Sequence, residues 1–410
     1  MVDSSWLLLP LLLLLLQTLS SQAALVAGGG GGSGIWIGAG AGTTPQNAPT
    51  PASPNFSREI TALQAWKSAI TDDPFGYMAT WVGPDVCSYR GIFCAQPPGM
   101  FPESLVVAAI DLNRASLQGT LVKELSLLTD LSILHLNSNR FSGTVPNTFK
   151  DLINLSELDL SNNQLSGPFP SVTLLIPRLI YLDLRYNHFS GPISPELFTK
   201  GLDAIFLNNN LFDGQIPDNL GNSLASVITL ANNKFTGELP PSLGYMGPSL
   251  KEILLLNNQL TGCIPEGVGF LTEMQVLDVS YNSLTGHLPD SISCLDEIEV
   301  LNLAHNQLSG FVPDIVCTLK SLVNLTVSFN FFSGFSQECS RLFFHAGFDF
   351  SGNCIPGKNM QRPPPECIGV PGSLNCMRTP SARPPMCGPM DQKGGFVDGS
   401  YVLGPMISSP

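Results

Sequence analysis

The chain has 410 residues, of which 43% are apolar and only 12% are charged. A mean hydropathy of +0.19 excludes a compositionally disordered chain, because this much apolar side chain can form a large core. The formal net charge of −13 argues against nucleic-acid binding, since phosphate would be repelled, and 39 glycines with 34 prolines favour a loop-rich fold built from repeats.

Residues 1–23 have the pattern of a secretory signal peptide. An apolar stretch covers residues 7–16, and small residues at Ser21 and Ala23 place the cleavage site near Ala23. The stretch is too short to span a membrane. We therefore expect a secreted, extracellular protein without a transmembrane anchor. Residues 24–55 form a Gly/Pro-rich leader that we expect to be flexible.

Glycosylation triplets and cysteines agree with secretion. N-glycosylation triplets begin at Asn55, Asn154 and Asn324. An even count of ten cysteines favours disulfides in a secreted chain. The sequence leaves open the pairing of the eight later cysteines, although Cys294 and Cys317 are one possible pair because they lie about one repeat apart. These eight are Cys263, Cys294, Cys317, Cys339, Cys354, Cys367, Cys376 and Cys387.

A repeat of the form LxxLxLxxNxLxGxIP runs over residues 105–334 in about ten units of about 24 residues. A glycine recurs in every unit from Gly119 to Gly334. Proline closes most units. An asparagine recurs at a fixed position of all units but the first, namely at Asn139, Asn163, Asn187, Asn210, Asn233, Asn258, Asn282, Asn306 and Asn330.

Each position of the repeat has a physical interpretation. The two leucines of LxL, such as Leu134 and Leu136, share one face of a short strand, and stacked strands would bury a continuous aliphatic row. The asparagine can satisfy a backbone donor and a backbone acceptor inside the turn. The repeat therefore predicts an α/β leucine-rich-repeat solenoid, a horseshoe with a concave parallel β-sheet. The cysteines on either side of the repeats favour disulfide-stapled caps.

The ending Gly214-Gln-Ile-Pro217 resembles the plant-type leucine-rich repeat. Residues 34–367 as a whole are similar to the leucine-rich-repeat extensin family. The stretches that carry this similarity are Gly34-Ile-Trp-Ile-Gly38, Trp81 to Cys94, Leu182-Asp-Leu-Arg-Tyr-Asn187, Leu202 to Phe206, Val227 to Asn233, Leu301 to Asn306, and Phe329 to Gly334 with the cysteines after it.

The resemblance implies a domain order. It places an N-terminal cap at 56–104 with a Cys87–Cys94 disulfide, ten repeats at 105–334 and a cysteine-containing C-terminal cap at 335–367. In the N-terminal cap, Ala62, Leu63, Trp66 and Ile70 would share the buried face of a helix. Residues 368–410 form a proline-rich tail that we expect to be disordered. They lack the serine–polyproline blocks of the family, which leaves open whether the tail anchors to the wall.

The expected concave face combines acidic and aromatic side chains, which favours a basic polypeptide partner. Within it, Phe206, Leu254 and Leu256 form an apolar island that is either a ligand anchor or ordinary surface leucine. The predicted ligand-contact residues are Asp159, Tyr181, Asp183, Arg185, Tyr186, Phe206, Asn208, Leu254, Leu256, Asp278, Tyr281, Asn302, His305 and Phe329.

The resemblance implies binding of a small basic, cysteine-rich rapid-alkalinization-factor peptide in the cell wall, with effects on wall integrity and growth. A membrane receptor kinase or pectin would be a further partner. Two alternatives stay open: a polygalacturonase-inhibitor-like defence protein, and a structural wall protein without a specific ligand. We expect no enzymatic activity, cofactor or metal, because no catalytic or metal-ligand spacing stands out.

Overall fold

The computed structural model describes residues 56–97, 105–342, 347–368 and Cys376. The expected signal peptide, the leader, Asn55, Cys387 and nearly all of the tail lie outside these residues. The described parts contain two α-helices, α1 (Ser57–Ala69) and α2 (Asp314–Cys317). None of the described helices has the length and apolar character needed to cross a lipid bilayer.

Helix α1 packs on the first turns of the solenoid through Ala62, Leu63 and Trp66, which are fully buried as predicted. Ile70 is not part of this face, because the helix ends at Ala69 and Ile70 is extended. The sequence analysis also missed Glu59, which is buried in the first turn of the helix.

One strand from each repeat joins a twelve-stranded sheet, called here the long sheet. Its pairs are parallel except for the first, which is antiparallel. The strands in spatial order are β2 (Ile92–Ala95), β3 (Val106–Asp111), β5 (Ile133–His135), β7 (Glu157–Asp159), β9 (Tyr181–Asp183), β11 (Ala204–Phe206), β13 (Val227–Thr229), β15 (Glu252–Leu254), β17 (Val276–Asp278), β19 (Val300–Asn302), β21 (Asn324–Thr326) and β23 (Gly347–Asp349).

A second strand from most repeats forms two further sheets. One, the second sheet, contains β1 (Ile70–Asp72), β4 (Gln118–Thr120), β6 (Arg140–Gly143), β8 (Gln164–Pro168), β10 (His188–Gly191), β12 (Leu211–Gln215), β14 (Lys234–Glu238) and β16 (Gln259–Thr261). The other contains β18 (Thr285–Gly286), β20 (Gln307–Val312) and β22 (Phe331–Phe335).

Short 3-10 helices return the chain to the long sheet in most repeats. They cover Met78–Thr80, Val86–Ser88, Lys123–Leu127, Asn147–Asp151, Ser171–Leu175, Pro195–Thr199, Asp218–Asn222, Pro241–Met246, Glu266–Phe270, Asp290–Cys294, Glu338–Arg341 and Pro364–Cys367. Proline precedes or begins many of them, as expected for a residue that fixes φ but donates no backbone hydrogen bond.

The core is a continuous aliphatic stack with an aromatic spine. Leu134, Leu158 and Leu182, one per strand, are at most 1% exposed, and burial of each contributes about 1.5–3 kcal/mol. Phe212 stacks between Phe189 and Phe235, with ring centroids 6.1 and 6.4 Å away. No single repeat could bury these side chains alone, which confirms the predicted solenoid.

The asparagine column forms the predicted internal ladder. Asn210 Nδ2 donates to Leu184 O at 2.9 Å and to Leu207 O at 3.1 Å, while its Oδ1 accepts from Phe189 N at 3.1 Å. The ladder continues past the predicted last repeat to Asn353, whose Nδ2 donates to Val327 O and whose Oδ1 accepts from Phe332 N. Strand β23 therefore adds a repeat-like turn that the sequence pattern did not reveal.

The glycine column has two structural roles. Eight of its ten members, from Gly143 to Gly310, adopt left-handed backbone conformations with φ between 74 and 93°. Gly119 does not. Glycine is required at this position because the end of helix α1 lies so close that a Cβ would be 2.5 Å from Ala69 O.

Four disulfides link described cysteines. Cys87–Cys94 closes the N-terminal cap as the resemblance implied. The suggested Cys294–Cys317 pair is wrong, because Cys317 bonds Cys339, which comes after the last predicted repeat. Cys294 is disulfide-bonded as well. The remaining two are Cys354–Cys367 within the C-terminal cap and Cys263–Cys376, which ties the tail to the solenoid across 113 residues of sequence.

Candidate functional site: the solvent side of the long sheet

All fourteen predicted ligand-contact residues lie in or shortly after strands of the long sheet, but their exposure differs. Those that are exposed are Tyr186, Tyr281 and Phe329. Half-buried are Asp159, Tyr181, Arg185, Asn208, Leu256, Asn302 and His305. The prediction of a solvent-facing side chain is wrong for four residues, which are buried: Asp183, Phe206, Leu254 and Asp278.

Asp183 belongs to a closed network of four side chains. Arg185 Nε lies 2.8 Å from Asp183 Oδ2, and the guanidinium carbon lies 4.9 Å from the Phe206 ring centroid. The Tyr181 hydroxyl donates a hydrogen bond to the same carboxylate oxygen at 3.4 Å. Burial, reinforced by Asp159 in the adjacent strand and opposed by Arg185, raises the pKa of Asp183 to about 8. Asp183 is therefore not an open carboxylate for a ligand.

The carboxylate of Asp278 is also engaged in intramolecular hydrogen bonds. Its Oδ1 accepts hydrogen bonds from Ser280 N at 2.9 Å and from Ser280 Oγ at 2.6 Å. Its Oδ2 accepts from Asn302 Nδ2 at 2.9 Å. Burial raises the pKa of Asp278, and the three hydrogen bonds oppose this by favouring the ionised form. This carboxylate holds the strand ends of two repeats together.

The predicted apolar island is mostly covered. Phe206 is 7% exposed beneath Arg185, and Leu254 is 4% exposed in register between Thr229 and Asp278. Only Leu256 is half-buried. Of the two interpretations left open by the sequence, a ligand anchor formed by Phe206 and Leu254 does not fit this burial.

Other carboxylates keep the face acidic. Glu157 Oε2 lies 3.1 Å from His135 Nε2. Glu252 is half-buried, and this burial, together with the charge of Glu299, raises its pKa. Burial lowers the pKa of His135, but Glu157 and nearby carboxylates outweigh it, so the pKa is raised overall. The carboxylates that are exposed or half-buried on this face are Asp111, Glu157, Asp159, Glu252, Glu299 and Asp349.

Three stacked rings, called here the aromatic row, follow strands β17, β19 and β21. The centroids of Tyr281 and His305 are 4.1 Å apart, and those of His305 and Phe329 are 4.3 Å apart, with interplanar angles of 12 and 13°. Tyr281 is 48% exposed and Phe329 is 45% exposed. At the next turn stands Gly352, where a Cβ would lie only 2.8 Å from the Phe329 ring. The last ring of the aromatic row therefore packs beside a glycine that has no side chain.

The backbone aims these rings outward. Tyr281, His305 and Phe329 have φ values of 51, 53 and 54°, in the left-handed region that bulky side chains avoid. Such conformations cost about 1–2 kcal/mol per residue, so the ladder hydrogen bonds on both sides must hold them. Sequence reasoning selected these residues but not their stacking, because stacking depends on this unusual φ.

Charge is distributed unevenly along the solenoid. Residues 206–368 contain fifteen Asp and Glu but only six Lys and Arg. Residues 56–205 contain fourteen acidic and ten basic residues. The half of the chain that carries the aromatic row is therefore the more acidic one, which favours basic partners there.

Two surface depressions lie outside the long sheet. The larger one described, of about 560 Å³, lies among the 3-10 helices and is lined by residues including Lys150, Leu175 and Glu196. Among the described residues, no cluster of His, Cys, Asp and Glu has the arrangement of a metal site.

Family comparisons define the class of protein. The leucine rich repeat family matches residues 129–189 and 248–308, with a further leucine rich repeat match at 226–246. The leucine rich repeat N-terminal domain matches residues 56–95. Together with the parallel long sheet and the asparagine ladder, these matches show that the chain is a leucine-rich-repeat protein.

The curated relatives of this chain are leucine-rich repeat extensin-like proteins. Leucine-rich repeat extensin-like protein 2 of Arabidopsis thaliana is 50% identical over 56% of this chain and 29% of its own length. Pollen-specific leucine-rich repeat extensin-like protein 1 of the same plant is 70% identical over 38% of this chain and 16% of its own length. The predicted resemblance is confirmed, and the matches span less than a third of these relatives.

A solved structure supports the same architecture. The plant peptide hormone receptor RGFR1 in complex with RGF2 aligns with a TM-score of 0.57 and 28% identity, over 62% of this chain and 40% of that chain.

Proposed function

We propose that this protein is a secreted, non-enzymatic recognition protein of the plant cell wall. It binds a small basic, cysteine-rich signalling peptide of the rapid-alkalinization-factor type on the solvent side of the long sheet. Binding there would couple the peptide to wall integrity and growth, through a membrane receptor kinase or wall polymers.

The observation that carries this proposal is the aromatic row in the acidic half of the solenoid. Exposed Tyr281 and Phe329 provide apolar contact area. Glu252 and Asp349 lie on strands of the same sheet, and Glu299 directly precedes β19. Aromatic anchors give binding energy when buried, and surrounding carboxylates accelerate the encounter with a cationic partner. A basic peptide with apolar side chains meets both requirements.

The comparisons support a peptide ligand. Relatives are leucine-rich repeat extensin-like proteins, and a structural neighbour is a plant peptide hormone receptor in complex with RGF2. The proposal for this chain rests on its own acidic and aromatic surface.

Titration of the purified full chain with an oxidised, synthetic rapid-alkalinization-factor peptide tests the proposal. We expect a Kd below about 1 μM that weakens with added salt. Absence of binding to any basic cysteine-rich peptide, with inhibition of a fungal polygalacturonase instead, would favour the inhibitor-like alternative. Binding to neither would leave the structural wall protein.

One substitution with a matched control locates the contact. Phe329→Asn removes the ring but suits the left-handed backbone, since Asn257 occupies the equivalent position with φ 54°. We expect it to weaken peptide binding by about tenfold or more. Phe311, which is 49% exposed on β20, provides the control Phe311→Asn. Equal effects of both substitutions would contradict a site at the aromatic row.

A further inference from the structure

We propose that Asn324 carries an N-linked glycan that stands on the solvent side of the long sheet and shields the starts of its last strands. This inference does not depend on the proposed peptide ligand. It rests on the triplet Asn324-Leu-Thr326 and on how β21 presents it.

The strand places Asn324 on the solvent side. Asn324 is the first residue of β21 and lies in register with Val300 on one side and Gly347 on the other. The middle residue, Leu325, is fully buried in the core. Because side chains alternate along a strand, Asn324 and Thr326 both point away from the core.

The carboxamide of Asn324 leaves its nitrogen available. Its Oδ1 accepts a hydrogen bond from Thr326 Oγ1 at 3.0 Å. Within the described ranges, no residue accepts a hydrogen bond from Asn324 Nδ2, the atom to which a glycan is attached. Asn154 differs, because its Nδ2 donates to Thr129 O at 3.0 Å in the preceding repeat. Of the two described triplets, Asn324 thus offers the less constrained nitrogen.

The neighbouring strand presents a glycine to Asn324. Gly347 has no side chain, and a Cβ there would lie 3.4 Å from Asn324 Nδ2. Any larger residue would crowd the glycosidic bond from this side. Val323, directly before the triplet, is 60% exposed. A glycan would cover this apolar side chain, which otherwise faces water.

The glycan would border the aromatic row without occupying it. Asn324 begins β21, whereas Phe329 lies three residues beyond the end of that strand. A branched glycan at the start of β21 would restrict access from the side of the sheet where the strands begin. The opposite side, where the strands end and the rings lie, would stay open.

Site occupancy is the direct test. The full chain is secreted from plant cells, digested, and deglycosylated enzymatically in heavy-oxygen water, which converts each glycosylated Asn to labelled Asp. We expect most of the Asn324 peptide to carry the label. A predominantly unlabelled Asn324 peptide would overturn the proposal.

Shielding is tested by hydroxyl-radical oxidation of Val323. Asn324→Gln and Thr326→Ala both abolish the triplet, whereas Thr326→Ser keeps both the triplet and a hydroxyl donor. We expect Val323 oxidation to rise at least twofold in the first two variants and to stay at the wild-type level in the third. Unchanged oxidation in all three would show that the glycan does not cover this end of the sheet.

Discussion

At the level of single residues, one position of the repeat holds side chains in different environments. Asp159, Asp183 and Asp278 occupy equivalent sites four residues before the ladder asparagine. Asp159 is half-buried, whereas Asp183 lies in a closed network with Arg185 and Asp278 is fully hydrogen-bonded by Ser280 and Asn302. What a carboxylate can bind here is decided by the residues in the neighbouring repeats.

Asp183→Asn tests the electrostatics of this network. Because the folded-state pKa of Asp183 is about 8, well above the ordinary value of 3.8, its proton is held more tightly in the folded than in the unfolded state. Stability from this group is complete below about pH 4 and is lost as the pH rises towards 8. The Asp183→Asn variant has no ionisable side chain at this position, so it does not lose stability in this way. Relative to wild type, its free energy of unfolding should increase by at least about 1 kcal/mol between pH 5 and pH 9.

Chemical denaturation at both pH values measures this difference. Asp349→Asn changes an exposed carboxylate of the same repeat position and serves as the control. If Asp183→Asn instead lost stability relative to wild type on going to pH 9, Arg185 would hold Asp183 ionised, and the role of burial would be smaller than inferred.

At the level of elements, the repeats are joined through the asparagine ladder. Each asparagine donates to carbonyl groups of two successive repeats and accepts from a backbone N–H of the preceding repeat, as Asn210 does with Leu184, Leu207 and Phe189. The short strands of three residues have few hydrogen bonds of their own. Their alignment therefore depends on these buried side chains as well as on the leucine stack.

Asn210→Ala should lower the free energy of unfolding by about 2–4 kcal/mol. The substitution leaves buried carbonyl and N–H groups without partners, and each costs about 1–3 kcal/mol. Urea unfolding of the variant measures this loss. Asn147→Ala is a matched control, because Asn147 is exposed in a 3-10 helix and should change stability by less than about 0.5 kcal/mol. Equal losses would show that the ladder contributes little.

Local periodicity explains what the sequence could predict. The LxL leucines and ladder asparagines repeat with fixed spacing, so their burial follows from position alone. Burial of Asp183 and Asp278 could not be predicted in this way, because it depends on which side chains lie in adjacent repeats. The Cys317–Cys339 bond and the turn ending at Asn353 also escaped prediction, since both lie partly beyond the last recognisable glycine.

At the level of the whole molecule, the net charge of −13 is concentrated in one part of the chain. Residues 206–368, with fifteen acidic and six basic side chains, contribute most of the excess. Glu252 lies on β15 of the long sheet and Glu299 directly precedes β19, whereas Asp213 and Glu238 are exposed on the second sheet. These two pairs allow the same charge to be removed from two faces of one solenoid.

The rate of peptide association, measured against salt concentration, tests the central claim most directly. The three proteins compared are wild type, Glu252→Gln/Glu299→Gln, and the control Asp213→Asn/Glu238→Gln. If a basic peptide docks on the long sheet, the first double variant should associate about threefold more slowly or worse and with a flatter salt dependence, while the control stays near wild type. Equal slowing in both variants, or in neither, would contradict recognition on this face.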